Sequence, residues 1–316
     1  MKDPLMTANT RDAGEPGVDL VRGLDSIRLE PAQMIGTLSI HPLVLTSDPG
    51  APYQLLHEAL GSTALEVLEM EHESVNVLLV RNRSDRPVLI LEGESLQGAK
   101  QNRLVTVDLL LAGGAEVPLA VGCVEPGRWD RSAKPFVAAA MSVEPRVRRH
   151  ARTGRSADGR PDQMRLWQAV ARKLGNSGTH SVSGDYLALA GRFKERVVEM
   201  AGLLACRDGQ VGLLATQHGR LVGFDMLGHP RNWDAVAERL SHSYVLGSLH
   251  DDDEDLGQPA RTAEEWLDAI IDAKPRMEQT PGLGIRFSLE DGALVGGGLW
   301  HAGRIAHLSA FGFARN

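Results

Sequence analysis

Between residues 38 and 124 the apolar positions fall in short runs rich in Val, Leu and Ile, at 38–46, 75–80, 88–91, 104–111 and 117–124, with turn residues between them. Runs of that length and composition predict β-strands. Ser84-Asp85-Arg86-Pro87 supplies a turn before the third run. Gly113-Gly114, between the last two, offers the positive φ angles of a hairpin loop. The N-terminal half is therefore expected to be an antiparallel meander or sandwich.

The pattern stops at 145–162, a stretch crowded with Arg, Gly and Ser that has no apolar period and predicts a mobile loop. Beyond it a helical period takes over. Trp167, Val170, Ala171 and Leu174 recur on one face of a helix, and a second helix is expected from about Ser183, carrying Leu189, Phe193, Val197 and Leu204. Trp233, Val236, Ala237, Leu240 and Tyr244 mark a third, with Pro230 suited to its first turn. Thr262-Ala263-Glu264-Glu265 has the spacing of a capping box and opens a fourth, which stops before Pro275.

Strands return at 211–216 and 221–226, read as a hairpin around Gly219, and again at 284–289, 294–300 and 304–311. The fold class is α+β, with strands at both ends and helices between. We expect an N-terminal extension over 1–34, partly flexible, and a single composite α+β domain over 35–313 whose last strands complete the first sheet.

Composition narrows the function classes. The 316 residues are 42% hydrophobic and 24% charged, which fits a globular protein. A net charge of -7 argues against general affinity for nucleic acid, whose binding rests on phosphate neutralisation. The six arginines at 146, 148, 149, 152, 155 and 160 lack the interleaved aromatics of a nucleic-acid surface, and a solvated loop is the plainer reading. Two cysteines, Cys123 and Cys206, exclude a disulfide framework or a thiolate zinc cluster. With neither a signal-type segment nor a membrane-length apolar run, the protein is expected in the cytoplasm. The composition leaves a homo-oligomer open.

Chemistry-bearing residues concentrate in two segments. The first is Glu92-Gly93-Glu94 with Gly98-Ala99-Lys100-Gln101-Asn102-Arg103. If the preceding strand continues through Glu94, its period of two puts both carboxylates on one face, where they suit acid/base work or a hard cation. Lys100, Gln101, Asn102 and Arg103 supply donors for an anion or an amide. The plainer alternative is an exposed connection whose charges pair with each other.

The second segment is Cys123-Val124-Glu125-Pro126-Gly127-Arg128-Trp129. Pro126-Gly127 suits a type II turn, so the strand is expected to end at Glu125 and to aim Arg128 and Trp129 together. A guanidinium beside an indole can clamp a planar anion, although ordinary packing of Arg128 over Trp129 explains the pair equally well. Cys123 has no histidine nearby to activate it and reads as a small buried hydrophobe.

Weaker signals remain. If Ala302-Gly303 is a two-residue turn, His301 pairs with Arg304 and His307 faces the opposite side, so the two imidazoles would not share an ion. Asp225 ends a strand and could bring one carboxylate to a site. The acidic run 251–255 after His250 lacks the glycine and spaced ligands of a calcium loop. No metal site is expected, and no nucleophile elbow, phosphate loop or dinucleotide fingerprint is present.

These segments, with Leu221-Val222-Gly223-Phe224-Asp225, Ser243-Tyr244 and Ile305-Ala306-His307-Leu308-Ser309-Ala310-Phe311, resemble the bacterial ADP-ribosylglycohydrolase-and-rhodanese-phosphatase-superfamily-associated protein domain over about 35–311. The resemblance implies a setting in ADP-ribose or NAD metabolism, without catalytic roles or a known cofactor. It carries over Lys100, Gln101, Asn102, Arg103, Glu125, Arg128 and Trp129 as site residues. Joined to the residue chemistry, it leads to a nucleotide-derived ligand. Phosphate would lie on Lys100 and Arg103 or Arg128, a ring would stack on Trp129, and Glu92, Glu94 or Glu125 would serve as acid/base or ribose contacts. A non-enzymatic interaction module and a metal-assisted hydrolase using the glutamates and Asp225 stay open beside it.

Overall fold

The computed structural model describes residues 23–72, 74–129, 134–249 and 259–313. The acidic run 251–255, His250 and the first 22 residues of the expected extension lie outside the described residues.

In chain order the first strands are β1 (Ile27–Leu29), β2 (Gln33–Ile35), β3 (Leu38–Leu45) and β4 (Gln54–Leu55), followed by the short helix α1 (Leu56–Gly61). Then come β5 (Leu65–Glu69), β6 (Val77–Asn82), β7 (Val88–Ile90), β8 (Ser95–Gln97), β9 (Arg103–Val105), β10 (Leu109–Leu111), β11 (Glu116–Cys123) and β12 (Val137–Ala138). Helices α2 (Pro145–Arg152), α3 (Gln163–Asn176) and α4 (Leu187–Ala201) lead to the hairpin β13 (Gln210–Gln217) and β14 (Arg220–Leu227). After α5 (Pro230–Ser248) and α6 (Ala263–Asp272), the chain returns to β15 (Arg276–Glu278), β16 (Ile285–Asp291), β17 (Leu294–His301) and β18 (Arg304–Gly312).

Among the described residues the strands form three sheets, and the α+β class holds. A nine-stranded antiparallel sheet has the order β1-β3-β13-β14-β18-β17-β16-β15, with β2 also paired to β3. The first and last strands of the chain therefore share one sheet. A six-stranded sheet, β12-β8-β9-β11-β6-β5, packs on a three-stranded one, β10-β7-β4. Val88, Ile90, Leu109 and Leu111 of the smaller sheet share a core with Val80, Val105, Leu119 and Val121 of the larger. That half is sandwich-like.

The large sheet is covered on both faces. Leu213 and Ala215 pack toward Trp233, Val236 and Tyr244 of α5, whereas Leu214 and Phe224 pack toward Trp266 and Ile270 of α6. Thr262 and Glu265 close the capping box at the start of α6, as their spacing predicts. The β13–β14 and β17–β18 hairpins each turn on two residues at positive φ, His218-Gly219 and Ala302-Gly303, so these turns match strand twist.

Four expectations fail, each for a physical reason. The run 104–111 is two strands in different sheets, β9 and β10, because the chain breaks at Thr106–Asp108 and turns Asp108 inward. Gly113-Gly114 accordingly joins strands of two sheets and does not close a hairpin. The stretch 145–162 is not wholly loop, since Pro145–Arg152 is helical. Val147 and Ala151 give that helix its apolar contact, while Arg146, Arg148, Arg149 and Arg152 are also buried. Its inward face is largely guanidinium, so it has no hydrophobic period to read. Finally, α4 starts at Leu187, not near Ser183, because Ser183 is engaged by the segment ahead of Trp129.

Candidate functional site

Segments 92–103 and 123–129 meet where β9 pairs with β11, Cys123 lying opposite Arg103. Glu125 is the hub of the junction. Its Oε2 accepts from the Asn102 amide at 3.1 Å and from Arg128 Nε at 2.7 Å, and its Oε1 accepts from Ser183 Oγ at 2.9 Å. Arg128 also donates to the Ala99 carbonyl at 2.8 Å and to Asn102 Oδ1 at 3.1 Å. Gln101 donates to the Glu125 carbonyl and accepts from Arg103, which is fully buried. The guanidinium and carboxylates of the two segments thus face one another and staple the loops. Lys100 lies 5.2 Å over the Trp129 ring, and this ring is 38% exposed.

The turn at Pro126-Gly127 differs from the expected one. β11 ends at Cys123, and Gly127 lacks the positive φ of a type II turn; the Arg128 amide bonds the Glu125 carbonyl at 3.4 Å. Gly127 is needed instead for close approach, since a Cβ there would stand 2.8 Å from Ser183. Cys123 is buried, and that burial pushes its thiol pKa up, so a thiolate nucleophile is disfavoured there.

Glu92 and Glu94 belong to a different neighbourhood. β7 stops at Ile90, and the two glutamates flank Gly93 in a turn at φ +92, so their arrangement does not come from strand alternation. A Cβ on Gly93 would lie 2.4 Å from Arg148 Nε. The turn therefore packs directly on α2.

There it meets a buried ionic network. Arg148 makes a bidentate pair with Asp225 of β14, both contacts at 2.7 Å, and Tyr244 of α5 donates to the same carboxylate at 2.7 Å. His307 of β18 lies between Asp108, at 2.7 Å from Nδ1, and Asp225, at 3.5 Å from Nε2. Asp108 also accepts from the Glu92 amide at 2.8 Å. Glu92 pairs with Arg152 and accepts from Ser309 Oγ at 3.1 Å.

Protonation in the network follows from these contacts. Burial opposes charge on His307, but the Asp108 and Asp225 carboxylates override it and raise the imidazole to about 9. Burial likewise opposes charge on Asp225, yet Arg148 and His307 hold its carboxyl well below the usual range. Glu94 has weaker help. Burial pushes it up to about 7 against the Leu91 amide and the more distant Arg239 and His307. Among the described residues, one oxygen each of Glu92 and Glu94 has no hydrogen-bond partner.

A cleft of about 890 Å³ opens elsewhere, at the end of the β17–β18 hairpin. Arg86, Arg231 and Arg304, all exposed, line it with Tyr53, His229 and His301. None of the three arginines is in a salt bridge among the described residues. The one acid in the lining, Glu58, accepts from the Leu55 amide at 2.9 Å.

The cleft is built by three elements. Asn232, in the first turn of α5, clamps the Tyr53 backbone with bonds of 3.0 and 2.7 Å. Tyr53 Oη meets His301 Nδ1 at 2.7 Å, with ring centroids 5.9 Å apart. His229 caps α5, its Nδ1 accepting from the Arg231 amide at 3.0 Å, so the neutral imidazole carries its proton on Nε2. Burial lowers the pKa of both His229 and His301, and Arg231 lowers His229 further. Gly50 is needed at the rim: it takes φ +71, and a Cβ there would collide with the Arg304 guanidinium.

Of the residues singled out from sequence, Glu125, Arg128, Asn102, Gln101, Arg103 and Cys123 come together in the stapled junction. Glu92, Glu94 and Asp225 converge in the ionic network, and His301 reaches the cleft. His301 pairs with Arg304 across the turn, and His307 faces the interior. Asp108, Arg148, Arg152, Tyr53, Arg231 and Arg304 were not singled out as site residues. A signal existed for two of them: Arg148 and Arg152 are four residues apart, on one helix face.

Fold and sites define a class: an α+β protein of mainly antiparallel sheets with a buried ionic network and, elsewhere, a basic surface cleft. A family model described as the ARG and Rhodanese-Phosphatase-superfamily-associated Protein domain matches residues 26–311, and the chain belongs to that family. No curated protein and no solved structure matches it. The match covers β1 and β2 as well as the resemblance seen from about residue 35. Of the motifs that carry that resemblance, Glu92, Glu94, Asp225, Tyr244, His307 and Ser309 gather at the ionic network. Among the described residues no helix is long and apolar enough to cross a membrane.

Proposed function

We propose that the protein binds a phosphate-bearing, nucleotide-derived ligand of the ADP-ribose or NAD type, and that the ligand docks in the Arg86–Arg231–Arg304 cleft. The supporting observation is three guanidiniums without salt bridges facing one cleft, together with the N-terminus of the long helix α5. Guanidinium forks and helix N-termini both favour phosphate. The Tyr53–His301 ring pair offers a surface for a base or ribose, and the volume lies in the range of small-molecule sites. The family's association with the ARG and rhodanese-phosphatase superfamilies supports the choice of a phosphate-bearing ligand.

Titration calorimetry with ADP-ribose, NAD, ADP and inorganic phosphate tests the reading. We expect saturable binding of at least one nucleotide, weakened by about tenfold or more in Arg304→Glu and Arg231→Glu. Lys100→Glu distinguishes the alternative docking place beside Trp129. Loss of binding in that variant, with Arg304→Glu unaffected, would move the ligand to segments 92–103 and 123–129. Silence across the whole panel would remove the nucleotide reading altogether.

A further inference from the structure

A second cleft, of about 750 Å³, lies where the edge of the nine-stranded sheet meets the six-stranded one. Its charged wall is Arg160, Arg276, Arg286, Asp158 and Glu278, and its apolar wall includes Val77, Pro118 and Met277. Arg155 stands behind it. Three guanidiniums share the single carboxylate of Glu278: Arg155 and Arg276 each at 3.4 Å and Arg286 at 4.0 Å. Asp158 is taken by Arg160 at 2.7 Å. Four arginines thus face two acids, and the nearby Asp108 is already paired with His307.

The excess positive charge is partly buried. Arg286 is only 4% exposed, its Nε has no hydrogen-bond partner among the described residues, and its other contacts are the neutral carbonyls of Gln279 and Ala157. Burial lowers the pKa of Arg155 and of Arg286, and Arg155 lowers Arg286 further, as expected for crowded like charges. An anion would relieve the crowding. The apolar wall gives no counter-charge and instead suits a hydrocarbon or aromatic body.

We propose that this cleft is a second ligand site, for a small organic anion whose oxyanion head lies on Arg276 and Arg286 and whose apolar body lies on Val77, Pro118 and Met277. It does not depend on the nucleotide reading of the first cleft. Phosphate and carboxylate heads share the needed geometry with a guanidinium fork, so both are tried.

The test is titration calorimetry on the full chain with phenyl phosphate and benzoate, and with inorganic phosphate and acetate as heads without a body. We expect one of the two aromatic anions to saturate at least about tenfold more tightly than its bare head. Arg276 is 80% exposed at its side chain, so Arg276→Glu should fold normally and weaken that binding about tenfold. Arg304→Glu, in the first cleft, should leave it unchanged. The proposal is overturned if neither aromatic anion saturates, if Arg276→Glu binds as well as the wild type, or if Arg304→Glu alone abolishes binding.

Discussion

The ionic network and the Arg304 cleft both concentrate arginine, histidine and tyrosine, yet they treat charge in opposite ways. Inside, the arginines and the histidine meet carboxylates: Arg148 with Asp225, Arg152 with Glu92, His307 with Asp108. At the cleft, Arg86, Arg231 and Arg304 face solvent without a carboxylate in salt-bridge range. The same residue types therefore hold the fold in one place and stay available to a ligand in the other. Chemical type alone does not separate the two roles. What separates them is whether the charge is already neutralised.

Breaking the interior should have the largest effect. Arg148→Ala leaves Asp225 buried beside only Tyr244 and His307, and should destabilise the protein by about 3–5 kcal/mol in chemical denaturation. If Arg148→Ala denatures like the wild type, the network is not a structural element.

Next in size is pH. His307 has a folded value of about 9 against 6.5 unfolded, so its contribution is complete below pH 6.5 and is lost as pH rises through 9. Glu94 adds a slope of the same sign at lower pH. Its folded value of about 7 exceeds 4.5 unfolded, so the folded state keeps a proton that the unfolded chain releases, and stability falls between those values. Stability measured by denaturant titration should drop by a few kcal/mol between pH 4.5 and 9, on the order of 1.4 kcal/mol for each tenfold difference in proton affinity between the folded and unfolded chain. Glu94→Gln should flatten the lower part of that slope and His307→Gln the upper part. A profile that is flat in the wild type contradicts both assignments.

A smaller effect belongs to the stapled junction. Arg128→Ala removes the bonds to Glu125, Ala99 and Asn102 from a partly exposed side chain, and should cost about 1–2 kcal/mol in thermal or denaturant unfolding. The cleft should respond least of all: Arg304→Glu and Arg231→Glu should stay within about 0.5 kcal/mol of wild-type stability while losing ligand affinity. A large stability loss in either would make the cleft arginines structural and erase the contrast with the interior.

The elements that could be read from sequence are those whose buried face is apolar. Val88–Ile90, the β13–β14 hairpin and α5 with Pro230 in its first turn follow the expected periods, whereas α3 forms but buries Leu166, Ala169, Val170 and Leu174, leaving Trp167 half-buried and Ala171 exposed. Helix α2 could not be read, because Asp225, Glu92 and backbone carbonyls satisfy its inward arginines in place of a hydrophobic neighbour. The break at Asp108 was hidden by the leucines and valines on either side. The cleft escaped notice for another reason: Tyr53, Arg86, Arg231 and Arg304 are far apart along the chain, and each is unremarkable in its own segment. Only the pairing of β14 with β18 and the Asn232 clamp on Tyr53 bring them to one mouth.

β18 ends at Gly312, yet it occupies the middle of the nine-stranded sheet, hydrogen-bonded to β14 on one side and β17 on the other. During synthesis, β3, β13 and β14 can assemble early, but β14 must keep an open edge until β18, far along the chain from it, has left the ribosome. Joining strands so distant along the chain is slow, and the waiting edge is a place for wrong partners. A nascent chain stalled before β18 should therefore bind chaperones strongly and aggregate without them, whereas release of β18 should close the sheet and hide that edge.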